Sequence, residues 1–362
     1  MNRIWKAMIV GAFTVLSITG CGIEEQHQSY EAVVHALPET TQAYLERSND
    51  PTAIDKEFAK RLVSVKKSAE KMVVQDNGTI TVHHRLGTTV MPKEHTRIVV
   101  IRAEDPLIAL DEPFIAASYN DKSYLYDELV ARNVQLISIN DETKTINYEQ
   151  VQSLQPDLII MRDSYGQGAY NALSNIAPTV AFNVNKSEET LLAIAYALGV
   201  PDKGEARLKA YYEKAKTTRI ALADHMKGET AAVLRVLNKE IRLYSYLKND
   251  LNRFMGDLLN IKPAQMALES ELNTSNNAIS LERLPDLDAG YLVVSAGYGS
   301  TSSNNSNIAM ERLKDMEQDV LWNNLKAVKE NHVLVVDSSL WMAHGIIAKE
   351  LAMQDLYNAW GK

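Results

Sequence analysis

Three arginines and four aromatic residues stand at or just beyond the ends of segments with a buried β-strand pattern. Guanidinium groups bind carboxylates and other oxygen anions through paired hydrogen bonds, and tyrosine and tryptophan combine a flat apolar face with one polar atom. Open α/β sheets bind ligands beyond the carboxyl ends of their strands. These side chains therefore suit a small, oxygen-rich, negatively charged and partly apolar ligand. The candidate contacts are Arg102, Arg162, Tyr165, Arg235, Tyr244, Tyr298 and Trp341.

The segments that carry these residues alternate between strand and helix patterns. Short, almost continuous apolar strands are predicted at 79–84, 96–101, 134–139, 157–161, 178–182, 231–237, 241–246, 290–296 and 332–337. Helix patterns lie between them, which indicates parallel sheets that are covered on both faces. Residues 205–226 contain no helix breaker and predict a helix of about 33 Å, long enough to cross a domain. We therefore expect an α/β protein whose two lobes, with parallel-type central sheets, are joined by one long interlobe helix and enclose a cleft.

Composition shifts along the chain predict six segments. An apolar stripe begins at Ile54 and Phe58 with helical spacing, whereas the residues before it are polar and mixed. The predicted segments are a signal peptide at 1–20, a tether at 21–50, an amphipathic helical extension at 51–78, an N-terminal α/β lobe at 79–184, a helical segment with the interlobe helix at 185–228 and a C-terminal α/β lobe at 229–362.

Cys21, the single cysteine of the chain, follows a basic start, an apolar run at 7–18 and two small residues. The pattern "ITGC" resembles the bacterial lipoprotein signal. This resemblance implies cleavage before Cys21 and diacylation of its sulfur, and two acyl chains anchor a protein stably. We expect a lipid-anchored protein on the extracytoplasmic face of a cell membrane. The alternative is one buried thiol behind an uncleaved apolar start.

The charge balance limits the possible partners. Arg3 and Lys6 lie in the predicted signal peptide, so the mature chain would carry 36 basic and 46 acidic residues, a net charge of −10. Such an acidic chain argues against nucleic acid as a partner. The hydrophobic content of 46% is that of a globular protein. We expect a monomer.

Five stretches, in this order, resemble one family. The chain is similar to the lipid-anchored substrate-binding proteins of bacterial ABC importers for ferric siderophores, in the helical-backbone group that also binds haem and cobalamin. The resemblance implies modest closure on a ferric siderophore, delivery to a permease dimer with its ATPase, and no resident cofactor, because the siderophore itself holds the iron. The stretches are "HHRLGTTVMPKEHTRIVVI", "YEQVQSLQPDLII", "LSNIAPTVAF", "ISLERLPDLDAGYLVV" and "LWNNLKAVKENHVLVVD".

The same resemblance implies that one glutamate on each lobe docks on arginines of the permease. By position these are Glu149 and Glu282. Two separated carboxylates would provide orientation and steering more than affinity.

Other functions stay open on the sequence alone. Hydroxamate or citrate-type chelates are favoured, with catecholates, haem and cobalamin as alternatives; Met161 and His344 are possible haem ligands. A bare-metal binder would need converging ligands, and the eight histidines show no such spacing. Ser64 and Ser68 each begin a Ser-x-x-Lys match to penicillin-binding enzymes, but the companion motifs are absent, so we expect no enzyme. A structural or sensory lipoprotein is the last alternative.

Overall fold

The structure is a computed structural model that describes residues 29–140, 143–246, 248–269, 276–299 and 303–362. The predicted signal peptide, Cys21 and the start of the predicted tether lie outside these ranges. Within them, no helix combines the length and the apolar character that a membrane crossing requires.

Sixteen helices and sixteen strands are found in the described ranges. The helices, α1 to α16, are Tyr30–Ala36, Glu39–Leu45, Pro51–Met72, Glu104–Ala109, Tyr126–Ala131, Tyr148–Ser153, Gly166–Ser174, Ser187–Ala197, Pro201–Met226, Asp250–Asp257, Gln265–Glu269, Ser303–Glu317, Val320–Asn323, Lys326–Lys329, Ser338–Trp341 and Ile346–Trp360. The strands, β1 to β16, are Val73–Asp76, Thr79–His84, Gly87–Val90, Ile98–Ile101, Ala116–Ala117, Gln135–Leu136, Ile139–Asn140, Thr145–Ile146, Leu158–Arg162, Thr179–Phe182, Thr230–Val236, Ile241–Tyr244, Lys262–Pro263, Asn276–Ile279, Tyr291–Ala296 and Val333–Asp337.

The N-terminal lobe contains a five-stranded parallel sheet in the order β10-β9-β4-β5-β6. Strands β4, β9 and β10 are buried except for Arg162 at the end of β9, as expected for strands that are covered on both faces. The parallel sheet and the helices on it confirm the predicted α/β class. The strand at 79–84, however, is not part of this sheet.

Residues 73–90 form a separate antiparallel sheet in the order β1-β2-β3. Asn77 and Gly78 both have positive φ values, 47° and 78°, which two-residue hairpin turns require. The hairpin folds β2 back on β1, so the extension ends as a strand at Val73–Asp76 rather than as a helix up to residue 78.

The C-terminal lobe contains a mixed sheet, not a purely parallel one. Strands β11, β15 and β16 are parallel, but β12 and β14 are antiparallel additions on one side of β11. Only residues 237–240 connect β11 to β12, too few for the crossover that parallel neighbours need.

Helix α9 is the long connection between the two sheets. It has 26 residues and is about 39 Å long. It begins at Pro201, four residues before the predicted start, because proline suits the first position of a helix. Gly204 does not end the helix: a Cβ there would lie 2.5 Å from the Ala195 Cβ of α8, so glycine allows the close packing of α8 on α9.

The two lobes meet at the start of α16, which packs on α9 and α4. The Asp105 carboxylate, on α4, accepts hydrogen bonds from the Ile347 and Ala348 N–H groups at 3.1–3.2 Å and from the Tyr124 hydroxyl at 2.6 Å. The carboxylate of one lobe therefore caps a helix of the other. One apolar cluster also runs from β4 through α8 and α9 to α16 and β15, so the lobes share a core.

Residues 30–45, predicted as part of a tether, form two helices on the C-terminal lobe. Val33 of α1 and Leu45 of α2 pack with Tyr246 and Leu268, and the Tyr44 hydroxyl bonds to Asp257. The tether prediction is wrong for these residues because their apolar side chains recur at helical spacing and cover an apolar surface. The residues of α1 and its C-cap that pack in this cluster are Tyr30, Val33, Val34 and Leu37.

Helix α3 packs on α8 and α9, and buried charges hold it in place. Arg219 of α9 is fully buried and donates to Asn49 Oδ1 at 2.9 Å, to Ser48 O at 2.7 Å and to Glu57 Oε2 at 3.0 Å. One turn further along α3, Arg61 forms two hydrogen bonds, 2.7 and 2.9 Å, with Glu188. The extension is therefore part of the folded body.

We expect Arg219→Met to lower the free energy of unfolding by about 3 kcal/mol, because it removes one partner of a buried charge network and leaves the Ser48 carbonyl unpaired. Urea unfolding measures this loss. The control is Arg283→Met, because the Arg283 side chain is 64% exposed and pairs with Asp286; here the loss should stay below about 1 kcal/mol. Equal losses in both variants would contradict the proposed role of the buried network.

We expect Gly345→Ala to destabilise the protein by about 2–3 kcal/mol, since its Cβ would lie 1.9 Å from the Asp105 Cγ and displace the carboxylate that caps α16. Thermal unfolding tests this. Gly168→Ala is the control: it lies in α7 with nothing within 4 Å of the added Cβ, and should be neutral or stabilising by about 0.5–1 kcal/mol. A Gly345 variant as stable as the Gly168 variant would refute the close contact.

Candidate functional site

A cavity of about 290 Å³ lies between the lobes, and we call it the cleft cavity. Its N-terminal wall comes from segments that follow β4, β9 and β10, and its C-terminal wall from segments that follow β15 and β16. This is the position predicted from the strand ends. Four of the seven candidate contacts line it: Arg102, Arg162, Tyr165 and Tyr298.

Arg102 is held in an unusual backbone conformation at the end of β4. Its φ is 54°, a value that few residues other than glycine adopt. Its N–H donates to Ser118 Oγ at 2.9 Å and to Glu104 Oε1 at 3.1 Å, and these bonds stabilise the turn. The guanidinium forms a hydrogen bond with the Tyr165 hydroxyl inside the cavity.

Arg162 stands at the end of the neighbouring strand β9. It donates to Asn185 Oδ1 at 2.9 Å, and burial lowers the pKa of its guanidinium. The positive charge of Arg102 contributes to the same shift. Lys144 extends the cationic wall, with its Nζ donating to Ser164 O at 2.6 Å. Three cations therefore face one small cavity, a composition that favours an anion.

A second cavity of about 300 Å³ adjoins the first, and we call it the side cavity. The two share a wall made by Met342, Ala343 and His344. The other three candidate contacts, Arg235, Tyr244 and Trp341, line the side cavity, so the structure divides the seven candidates between two adjoining spaces. Lys248 and Lys349 also line the side cavity, and its described lining contains no carboxylate.

Arg235 connects the two groups of candidates. Its Nε donates to Gly297 O at 3.0 Å and one terminal nitrogen donates to the Tyr244 hydroxyl at 3.2 Å. The guanidinium carbon also lies 5.8 Å from the ring centroid of Tyr298. The Tyr298 hydroxyl donates to Asn238 Oδ1 at 2.5 Å. These side chains form one preorganised cluster on the C-terminal lobe.

Trp341 is largely a structural residue. Its side chain is only 3% exposed, and the indole N–H donates to Asp355 Oδ2 at 2.8 Å. This bond fixes α15 to α16 and thereby shapes the wall between the two cavities. Tyr244 is equally buried, so both residues offer the side cavity only a small part of their surface.

The sequence analysis missed two carboxylates in the cleft wall, Glu104 and Asp105. Both are buried, and both line the cleft cavity. They directly follow Arg102 and Ala103, so the rule of inspecting residues beyond strand ends could have found them. Burial raises the pKa of Glu104 to about 7, although the positive charge of Arg102 acts in the opposite direction. Burial also raises the pKa of Asp105, against the hydrogen bonds from Tyr124 and α16.

The two predicted docking glutamates lie on different lobes and both are exposed. Glu149 is in the first turn of α6, and Glu282 is in the 3₁₀ turn Leu281–Asp286. Hydrogen bonds from its own N–H and from the Ser280 side chain lower the pKa of Glu282. Neither carboxylate forms an ion pair with another residue in the described part of the chain.

The described side chains that could bind a metal ion do not cluster in this structure. Among the described residues, no group of three histidine, aspartate or glutamate side chains is placed to hold an ion. Met161, one of the two candidate haem ligands, is fully buried in the core of the N-terminal lobe. The other, His344, lines both cavities.

Comparison with known proteins agrees with this architecture. YfiY of Bacillus subtilis, named a probable siderophore-binding lipoprotein, is 27% identical over 80% of this chain and 90% of its own length. The Fe(3+)-citrate-binding protein YfmC of the same organism is 25% identical over 76% of this chain and 84% of its own. The crystal structure of Staphylococcus aureus SirA complexed with staphyloferrin B superimposes with a TM-score of 0.65 and 23% identity, over 77% of this chain and 97% of that one.

The match to SirA shows the fold, and the two relatives share most of their length with this chain. The model of one protein family matches residues 108–340. This range includes the ends of both strands that lead into the C-terminal wall, and most of the N-terminal wall. With its two lobes, its long connecting helix and its cleft between strand ends, the chain belongs to the periplasmic binding protein family.

Proposed function

We propose that the protein is a lipid-anchored extracytoplasmic receptor that captures a ferric siderophore and delivers it to an ABC importer. The observation that carries this proposal is the cleft cavity, where Arg102, Lys144 and Arg162 face a space between the lobes. Guanidinium and ammonium groups recognise the outer oxygens of an anionic chelate, while the iron stays inside it. The protein needs no cofactor of its own for this role and performs no bond chemistry.

The name of one relative supports a citrate-type chelate. YfmC is named for Fe(3+)-citrate and YfiY for siderophores in general. A citrate-type chelate combines high negative charge with short arms, which suits a small cationic cavity. Hydroxamate chelates are the other favoured type, and the adjoining side cavity offers room for an additional arm of either type. Catecholates are the anionic alternative.

Haem is the second candidate because His344 lies in the wall between the cavities. A histidine in that position could ligate haem iron. Its predicted partner Met161 is buried elsewhere, so His344 would act without it. A Soret shift on addition of haem, absent in His344→Ala, would favour haem over a siderophore.

The lipid anchor and the lack of catalysis are part of the same proposal. Cys21 lies outside the described residues, and its diacylation is inferred from the sequence pattern. Ser64 and Ser68, the candidate nucleophiles of the Ser-x-x-Lys matches, lie on α3, away from the residues that line the cleft cavity.

Arg162→Gln should weaken binding of the preferred ferric chelate about 10- to 150-fold, the effect of losing one charge-assisted hydrogen bond of about 1.5–3 kcal/mol. Quenching of tryptophan fluorescence by a panel of ferric siderophores, with haem and cobalamin for comparison, measures this affinity. The matched control is Arg132→Gln, on the same lobe, whose guanidinium pairs with Glu128 and Asp111. Failure of every ferric chelate to bind the wild type would refute the proposed function.

Glu149→Lys or Glu282→Lys should abolish uptake of the chelate by cells and leave its affinity for the purified protein unchanged, because charge reversal opposes docking on basic pockets. Glu213→Lys and Glu311→Lys are the controls, since both are exposed glutamates on other helices. The measurements are iron uptake and fluorescence quenching. The docking assignment is wrong if these variants bind the chelate more weakly but transport per bound chelate stays the same.

A further inference from the structure

Glu104 is a buried carboxylate in the wall of a cavity that otherwise attracts anions. It lies two residues after Arg102 and accepts the Arg102 N–H at 3.1 Å, with the Ser118 hydroxyl at 3.4 Å from the same oxygen. These contacts support the left-handed backbone of Arg102 described above. Glu104 is therefore a positioning residue for the first cation of the cleft.

The charged groups around Glu104 come from several elements. The Arg102 and Arg162 guanidinium groups both interact electrostatically with it, and Lys144 and His344 line the same cavity. The neighbouring carboxylates have other partners: Asp105 caps α16, and Asp163 accepts from Arg85 at 3.1 Å. The Tyr124 and Tyr165 hydroxyls complete the surroundings. Glu104 is thus the carboxylate whose negative charge, when present, offsets the positive charge of the cleft cations.

We propose that Glu104 sets the charge of the cleft, taking up a proton as an anionic chelate binds beside Arg102 and Arg162. This inference rests on the proposed function for its ligand. When ionised, Glu104 cancels one of the positive charges that attract the chelate. The negative charge of the bound chelate then favours the neutral carboxylic acid, so ligand and proton bind cooperatively.

This coupling determines how chelate affinity changes with pH. Below pH 7 Glu104 is mostly neutral in the free protein, and chelate affinity depends little on pH through this group. Above pH 7 each bound chelate must bring one proton, so affinity falls by up to about tenfold per pH unit. The pKa of Glu104 is higher in the folded than in the unfolded chain, so this group also lowers folding stability as pH rises from about 4.5 to 7.

The test compares the wild type with Glu104→Gln, which keeps the size and the hydrogen-bond acceptor but cannot ionise. Titration calorimetry with ferric citrate in two buffers of different ionisation enthalpy measures the protons taken up on binding. The wild type should take up about half a proton more than the variant at pH 7 and close to one more at pH 8. The variant should bind about tenfold tighter than the wild type at pH 8 and about equally at pH 6.

A control variant shows whether the change in proton uptake is specific to Glu104. Glu112→Gln alters a glutamate of the same lobe that pairs with Lys203 outside the cleft, and should take up protons as the wild type does. A thermal melt of Glu104→Gln confirms that the variant is folded. Equal proton uptake in the wild type and Glu104→Gln would overturn the inference.

An infrared titration of the ligand-free protein distinguishes this inference from the proposed function. The difference between wild type and Glu104→Gln should show the carbonyl stretch of a protonated carboxyl group, which disappears as the pH rises through about 7. Its absence would overturn the role of Glu104 even where ferric chelates bind. Its presence in a protein that binds no ferric chelate would support the titration of Glu104 and refute the proposed function instead.

Discussion

The contact between Asp105 and the start of α16 is the interaction on which the cleft depends. The first N–H groups of a helix have no partner within the helix, and here they are buried between two lobes. A carboxylate from the other lobe satisfies them, and Gly345 leaves the space that it occupies. Because Asp105 lies three residues from Arg102, and Gly345 directly follows His344, this contact fixes the two walls of the cleft relative to each other.

The remaining contacts between the lobes also oppose large movements. Arg207 of α9 forms two hydrogen bonds, 2.7 and 2.8 Å, with Glu350 of α16, and buried residues of the same two helices belong to one apolar cluster. The extension adds a further connection, because Arg61 bonds to Glu188 of α8 and lies 4.0 Å from Asp257 of α10. A wide hinge rotation would separate these partly buried ion pairs and expose part of the shared apolar cluster, and both changes are unfavourable.

Sequence patterns predicted the alternating strands and helices well, because each buried strand or helix has its own pattern of apolar residues. Most of the buried strands, α8, α9 and α16 follow from such local patterns, whereas the separate sheet at 73–90 and the antiparallel strands of the C-terminal sheet do not. The hairpin at Asn77-Gly78 and the helix at Tyr30–Ala36 also had local signals, which the predicted tether and helical extension overlooked. The division of the seven candidate contacts between two cavities had no such signal. It depends on the path of residues 341–345, which the Asp105 cap and the Trp341–Asp355 bond determine across long sequence distances.

The carboxylate among the cleft cations has a physical explanation. Arg102 and Arg162 repel each other, and burial disfavours the charge of Arg162, so cations alone in an empty cleft would be energetically unfavourable. Glu104 offsets this cost in the ligand-free protein. A guanidinium group cannot lose its proton in the physiological range, whereas a carboxylate with a pKa of about 7 readily gains one. Protonation of Glu104 therefore makes the cleft more positive, and that change favours the binding of an anionic chelate.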